Sequence, residues 1–269
     1  MDMYLQVIGN NMEIAKEIDA FPSNYHTDFF RVRSVAREYL ECTGTGPSED
    51  ATRTLAKHLG SLLINWGAGK RGAPQPRCEP EITGFLHDTR LYVDLGKIAR
   101  TGLASLSLQT QTRNVLDGAQ ITDARQFDEI LLSVLARLSE GLFIRNTNVT
   151  YPMKAMLLIS GLMPAFDSQV RAGLSRAGFG GVNKTQFLLP SSAENDPDGK
   201  KVTRLPFVLG HCWATSSHVL SAGIRKSHYP ELIEEPGRVF DILFFMQKNS
   251  SKQLLKFQHS GLGRWYEFP

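Results

Sequence analysis

The sequence predicts a mainly α, compact multi-helix protein, folded as one unit or as two lobes. Apolar residues recur at helical spacing in several stretches. The best is 123–144, where Phe127, Ile130, Leu131, Val134, Leu135, Leu138 and Leu142 trace a wide stripe. Helix boundaries are marked, with Ser48 placed as an N-cap and Gly67 and Gly69 as a stop. Strand-like alternation is confined to short runs near the two ends. An apolar fraction of 42% over 269 residues is enough to build a real core.

In chain order, a short strand is expected at 4–8. A helix follows at 28–40, carrying Phe29, Phe30, Val32, Val35, Ala36, Tyr39 and Leu40 at helical spacing. The next runs from Ser48 to about Trp66, with Leu55, Leu59, Leu62 and Leu63 on one face. Residues 68–80, rich in Gly, Pro, Lys and Arg, read as a loop. Short helices are expected at 81–87 and 94–99, and 101–121 shows no clear period. After the 123–144 helix come a helix at 152–160, a turn at 161–166 and a helix at 168–177. Residues 191–201 form the clearest surface loop, followed by helices at 206–224 and 236–248 and a strand at 254–258. The sum is about ten helices and little sheet, with no internal repeat and no sharp linker.

The net charge of +3 excludes a purely electrostatic nucleic-acid binder but leaves room for a local basic face. Cys42, Cys78 and Cys212 are few and far apart, which argues against a disulfide framework and for a reducing cytoplasm. The N-terminal segment carries acids and no long apolar run, unlike a signal peptide. Residues 155–166 are apolar but too few to span a bilayer. No membrane or protein partner is implied.

Several motifs have both a plain and a functional reading. In WGAGKRG, residues 66–72, the first glycine of a P-loop would fall on Ile64, and Arg71 stands where Ser or Thr is required. The segment is a glycine helix stop, or a loop whose Lys70 and Arg71 contact phosphate. His211 and His218 share a helix face beside Cys212, but no complementary ligand pair exists elsewhere in sequence, so no metal is expected. Trp213 is a core residue or a base-stacking one. Glu234–Glu235 and Asp196–Asp198 read as solvated surface. There is no GxSxG elbow.

The informative segment is TNVTYPMKAMLLISGLMPAFDSQVRAGL, residues 147–174. It reads as a turn, an apolar helix bearing Lys154, a proline turn, then Asp167 at the N-cap of a further helix. The dipole and free N–H groups of a helix start favour negative charge there. Capping alone would explain the aspartate.

The stretch MPAFDSQVRAGL, through Pro164, Asp167, Val170 and Arg171, resembles the catalytic segment of helix–hairpin–helix base-excision DNA glycosylases, in which an acid precedes a helix. The resemblance implies a helical glycosylase-like fold, DNA as partner and a cytoplasmic, nucleoid-associated location, with no cofactor. It makes Asp167 the catalytic acid and puts Lys154 near the lysine nucleophile of bifunctional members. The chain lacks the family's glycine-rich hairpin and iron–sulfur cysteines. Lys154 and Asp167 are only thirteen residues apart, shorter than usual, which points to a monofunctional enzyme. Such divergence fits a branch that excises modified bases, in antiviral defence. Trp66, Trp213 and His211 are then the candidate base contacts, and Lys70, Arg71, Arg171 and Lys184 the candidate phosphate contacts. The alternative is a non-catalytic helical DNA-binding or adaptor protein. A small-molecule enzyme of unrelated class has no motif in its favour.

Overall fold

Helix makes up 63% of the chain in the computed structural model, which describes residues 3–41, 46–70, 72–109, 112–116 and 118–259. Among these are ten α-helices and six short strands. The strands are β1 (Met3–Val7), β2 (Gln75–Pro76), β3 (Leu106–Gln109), β4 (Thr112–Val115), β5 (Phe143–Ile144) and β6 (Leu255–His259). They form three separate antiparallel pairs: β1 with β6, β2 with β5, and β3 with β4.

Several of the helices begin where a side chain satisfies free backbone N–H groups. In α1 (Asn11–Ala20), Asn10 and Glu13 form a capping box. This helix is absent from the sequence expectations above, although the Asn–x–x–Glu signal is present. Next comes α2 (Ser23–Leu40), then α3 (Glu49–Asn65), whose cap is Ser48 as expected. The short α4 (Glu79–Leu86) precedes α5 (Thr89–Thr101), which starts earlier than its apolar pattern suggests because Asp88 caps it. The long stripe forms α6 (Ala124–Leu142), capped by Asp123. Then follow α7 (Thr150–Ser160) and α8 (Ser168–Ala177), the latter capped by Asp167. The helix α9 (Pro197–Lys226) runs through Pro206, so the expected surface loop ends at its cap, Asp196. Last is α10 (Pro236–Gln247). Cys42 and Arg71 lie outside the described residues.

Buried side chains form one contiguous cluster. At its centre is α7, buried on nearly every face from Pro152 to Ser160. A helix apolar all round belongs inside, and α7 packs against α2, α3, α5 and α6. Beside it, α8 lies on α10 so closely that a Cβ on Gly173 would stand 1.8 Å from the Phe244 carbonyl oxygen.

The start of α10 grips the α7–α8 turn. Gly161 takes a left-handed φ of 69°, and a Cβ on Gly237 would meet its carbonyl oxygen at 2.2 Å. Glu235, expected on the surface, is buried and bonded to Arg33 at 2.9 Å and to Arg37 at 2.8 Å. Arg33 also donates to the carbonyls of Ile159 and Ser160. A turn full of backbone acceptors needs such donors, and sequence proximity gives no sign of a partner some 200 residues away.

His26 is fully buried, stacked on Tyr229 at 3.7 Å with its Nε2 3.1 Å from the Ile18 carbonyl. Burial pulls its pKa from 6.5 down to about 4, and the charge of Arg238 adds to this. The unfolded state therefore binds the extra proton between these values, so His26 costs stability as pH falls from 6.5 towards 4. The advantage of wild type over His26→Gln should shrink by about 2–3 kcal/mol between pH 7 and pH 4.5. Urea unfolding of both proteins at the two pH values checks this. A paired comparison is needed because buried Asp241, raised by desolvation to about 6, acts with the opposite sign in the same window.

Candidate active site

The α7–α8 unit opens on a cleft of about 280 Å³. Its walls include Pro74, Asn148, Tyr151, Lys154, Asp167 and Phe187. The two residues singled out as catalytic thus face one space. The Nζ of Lys154 lies 3.8 Å from Asp167 Oδ2, and both side chains are mostly buried.

Each is held by its own neighbours. Asp167 Oδ1 accepts from the backbone N–H groups of Gln169 and Val170, both at 2.9 Å. The N-cap is therefore made by one oxygen, and Oδ2 faces the lysine. Upstream, Thr150 Oγ1 donates to the Phe166 carbonyl, tying the start of α7 to the turn that ends at Asp167. Lys154 Nζ donates to the Trp66 carbonyl at 3.3 Å and lies over the rings of Tyr151 and Trp66, at 5.1 and 5.8 Å. A carboxylate, a carbonyl and two ring faces all attract a cation.

The other candidates are distributed differently. Trp66 does not line the cleft; its ring is taken up by Tyr25, Arg238 and Lys154, so it supports the lysine rather than offering a face to a base. Trp213 packs edge-on to Phe240, and neither it nor His211 lines the cleft. Arg171 does line it but is buried, its Nη1 donating to the carbonyls of Val182 and Lys184, so it braces a loop rather than reaching out to phosphate. Lys184 pairs with Asp198 and lies 4.9 Å over Phe187. Lys70 is exposed on the glycine turn leading to Ala73 and Pro74 of the cleft wall. Asp198, expected in solvent, is bonded to both Lys184 and Lys201.

Two aromatic residues missed in the sequence line the cleft, Tyr151 and Phe187. Tyr151 was within reach: it precedes Lys154 by three, so the two share a helix face. Burial, with the charge of Asp167 adding, raises its hydroxyl above the usual phenol value. Phe187 gave no local signal.

Among the described residues no group of three or more His, Cys, Asp or Glu is placed to hold a metal. No described helix is long and apolar enough to cross a membrane. No protein-family model, curated protein or solved structure matches the chain.

Proposed function

We propose that the protein is a DNA glycosylase that excises a damaged or modified base. The observation that carries this reading is the pairing of Asp167 and Lys154, 3.8 Å apart, in a cleft on the scale of a single base and walled by Tyr151 and Phe187. A duplex gives access to such a site only by flipping the nucleotide out. The base then lies beside Tyr151, and the sugar faces Asp167 Oδ2. As the N-glycosidic bond breaks, its electron pair leaves with the base and positive charge grows on the deoxyribose. A fixed carboxylate stabilises that charge or orients water to the sugar carbon. Water adds as hydroxide, its proton balances the departing base, and an abasic site remains. The exposed Lys70, on the turn that leads to the cleft wall, would meet the backbone.

The test is an abasic-site assay on duplexes carrying uracil, oxidised, alkylated and phage-type modified bases. Abasic sites from one of these support the reading; DNA binding without base release on any of them favours the adaptor alternative. A branch acting in antiviral defence would act on the phage-type bases.

The lysine is expected to hold Asp167 rather than to attack the sugar. A Schiff-base nucleophile must be a neutral amine, which a desolvated pocket or a neighbouring cation provides. Here Lys154 Nζ faces the Asp167 carboxylate and donates to the Trp66 carbonyl, so its neighbours are acceptors that hold it in place rather than a cation. The enzyme should therefore be monofunctional. Borohydride should trap no protein–DNA adduct during turnover; an adduct that disappears in Lys154→Ala would overturn this.

A further inference from the structure

Behind the cleft lies a second ion pair, wholly buried. Arg238 Nη1 meets Asp241 Oδ2 at 2.5 Å on the first turns of α10, and both residues are nearly inaccessible. Such a pair gains little for stability over apolar side chains of similar volume, because both charges are desolvated. Desolvation dominates at Asp241, whose carboxyl is pushed up to about 6 despite its arginine. The contacts of the pair reach both halves of the candidate site. Asp241 Oδ1 accepts from the backbone N–H of Ala165 at 3.0 Å, two residues before Asp167. The Arg238 guanidinium lies 5.6 Å over the Trp66 ring and 4.9 Å over Phe21 and Phe29, while its Nη2 donates to the Tyr25 carbonyl. Trp66 in turn supplies the carbonyl that holds Lys154.

We propose that Arg238 and Asp241 are positioning residues for the Asp167–Lys154 pair, Asp241 fixing the turn that carries the carboxylate and Arg238 fixing the tryptophan that carries the lysine. This rests on the glycosylase reading for its catalytic consequence only; the positioning itself is a property of the folded protein. Neither residue lines the cleft. Their influence passes through Ala165 and Trp66, two segments distant in sequence that the same buried pair touches.

The experiment compares wild type with Arg238→Met/Asp241→Leu, which replaces the pair by apolar side chains, and with Asp241→Asn. In Asn a single side-chain oxygen must serve both Ala165 N–H and Arg238. Lysines are converted to ¹³C-dimethyllysine, and the Lys154 signal is assigned by its absence in Lys154→Arg. Its position reports the Tyr151 and Trp66 ring faces without any substrate. The double variant should remain folded by circular dichroism and move the Lys154 signal towards that of an exposed lysine. On a substrate that wild type processes, it should slow single-turnover base release by about 10- to 100-fold with DNA affinity unchanged. Asp241→Asn should shift the signal in the same direction and decides the matter if the double variant does not fold. An unmoved Lys154 signal in the folded variants overturns the proposal, as does an unchanged release rate. If wild type releases no base from any DNA, the glycosylase reading fails, and the Lys154 signal still decides the positioning claim.

Discussion

Asp167→Asn should fold as wild type does, bind DNA at least as tightly, and release base about 10²–10³-fold more slowly. The side chain has two separable jobs. Its Oδ1 caps α8 through two backbone N–H groups, and an asparagine carbonyl can accept the same bonds. Its Oδ2 faces Lys154 and the cleft, and there the substitution removes the negative charge. Losing the partner of a mostly buried lysine costs stability. Relief of the repulsion that Asp167 exerts on buried Asp241 offsets part of this, against the attraction to Arg238 and Arg171 that is lost with it. The net change should stay within about 1 kcal/mol. On the glycosylase reading DNA affinity should hold or rise, since a negative charge leaves the surface proposed to face phosphates. Thermal unfolding, duplex binding and single-turnover base release, measured side by side, separate the two jobs. Unchanged release on a confirmed substrate would leave Asp167 an ordinary helix cap.

Gly173→Ala should be among the most damaging single-methyl changes in the molecule. Alanine is the better helix former by about 1 kcal/mol, so in an open position the change would stabilise. At Gly173 the new Cβ falls 1.8 Å from a backbone oxygen of Phe244, which cannot rotate away as a side chain would. The two helices must part, and with them the N-terminus that holds Asp167. Overpacking of this kind costs about 1–3 kcal/mol, more where backbone must shift, and about 3 kcal/mol net is expected. Gly84→Ala is the control, since at exposed Gly84 on α4 a Cβ meets nothing within 4 Å. It should stabilise by up to about 1 kcal/mol. Chemical denaturation of both variants should give opposite signs. A stable Gly173→Ala would mean that α8 and α10 can separate freely.

Most helices could be read from the sequence because their signals are local. The apolar stripe of α6 and the caps Ser48 and Asp167 are each contained in a few residues. The proline in α9 misled, because a helix buried along much of its first half can tolerate a lost hydrogen bond that an isolated one would not. The β3–β4 hairpin was invisible because its strands are too short to show a period. In the candidate site, Lys154 and Asp167 were named through the family resemblance, and their short spacing gave no sign that one helix and one turn would bring them within 3.8 Å. The Arg238–Asp241 pair is local, three residues apart on α10, but its burial and its contacts with Ala165 and Tyr25 depend on segments distant in sequence, as does the grip of Glu235 on Arg33. No periodicity or motif encodes those long-range contacts.

The pairing of β1 with β6 joins Met3 to His259. Of the described elements β1 is made before all the others and β6 after them, so nearly all the described chain must be made before this ladder can close. Until then β1 presents an open edge, the kind of surface that recruits stray strands. The α10 helix, which braces the Asp167 turn, also arrives late. Nascent chains should therefore carry an unfinished site until α10 has been made, and newly made protein should depend on chaperones more than mature protein does.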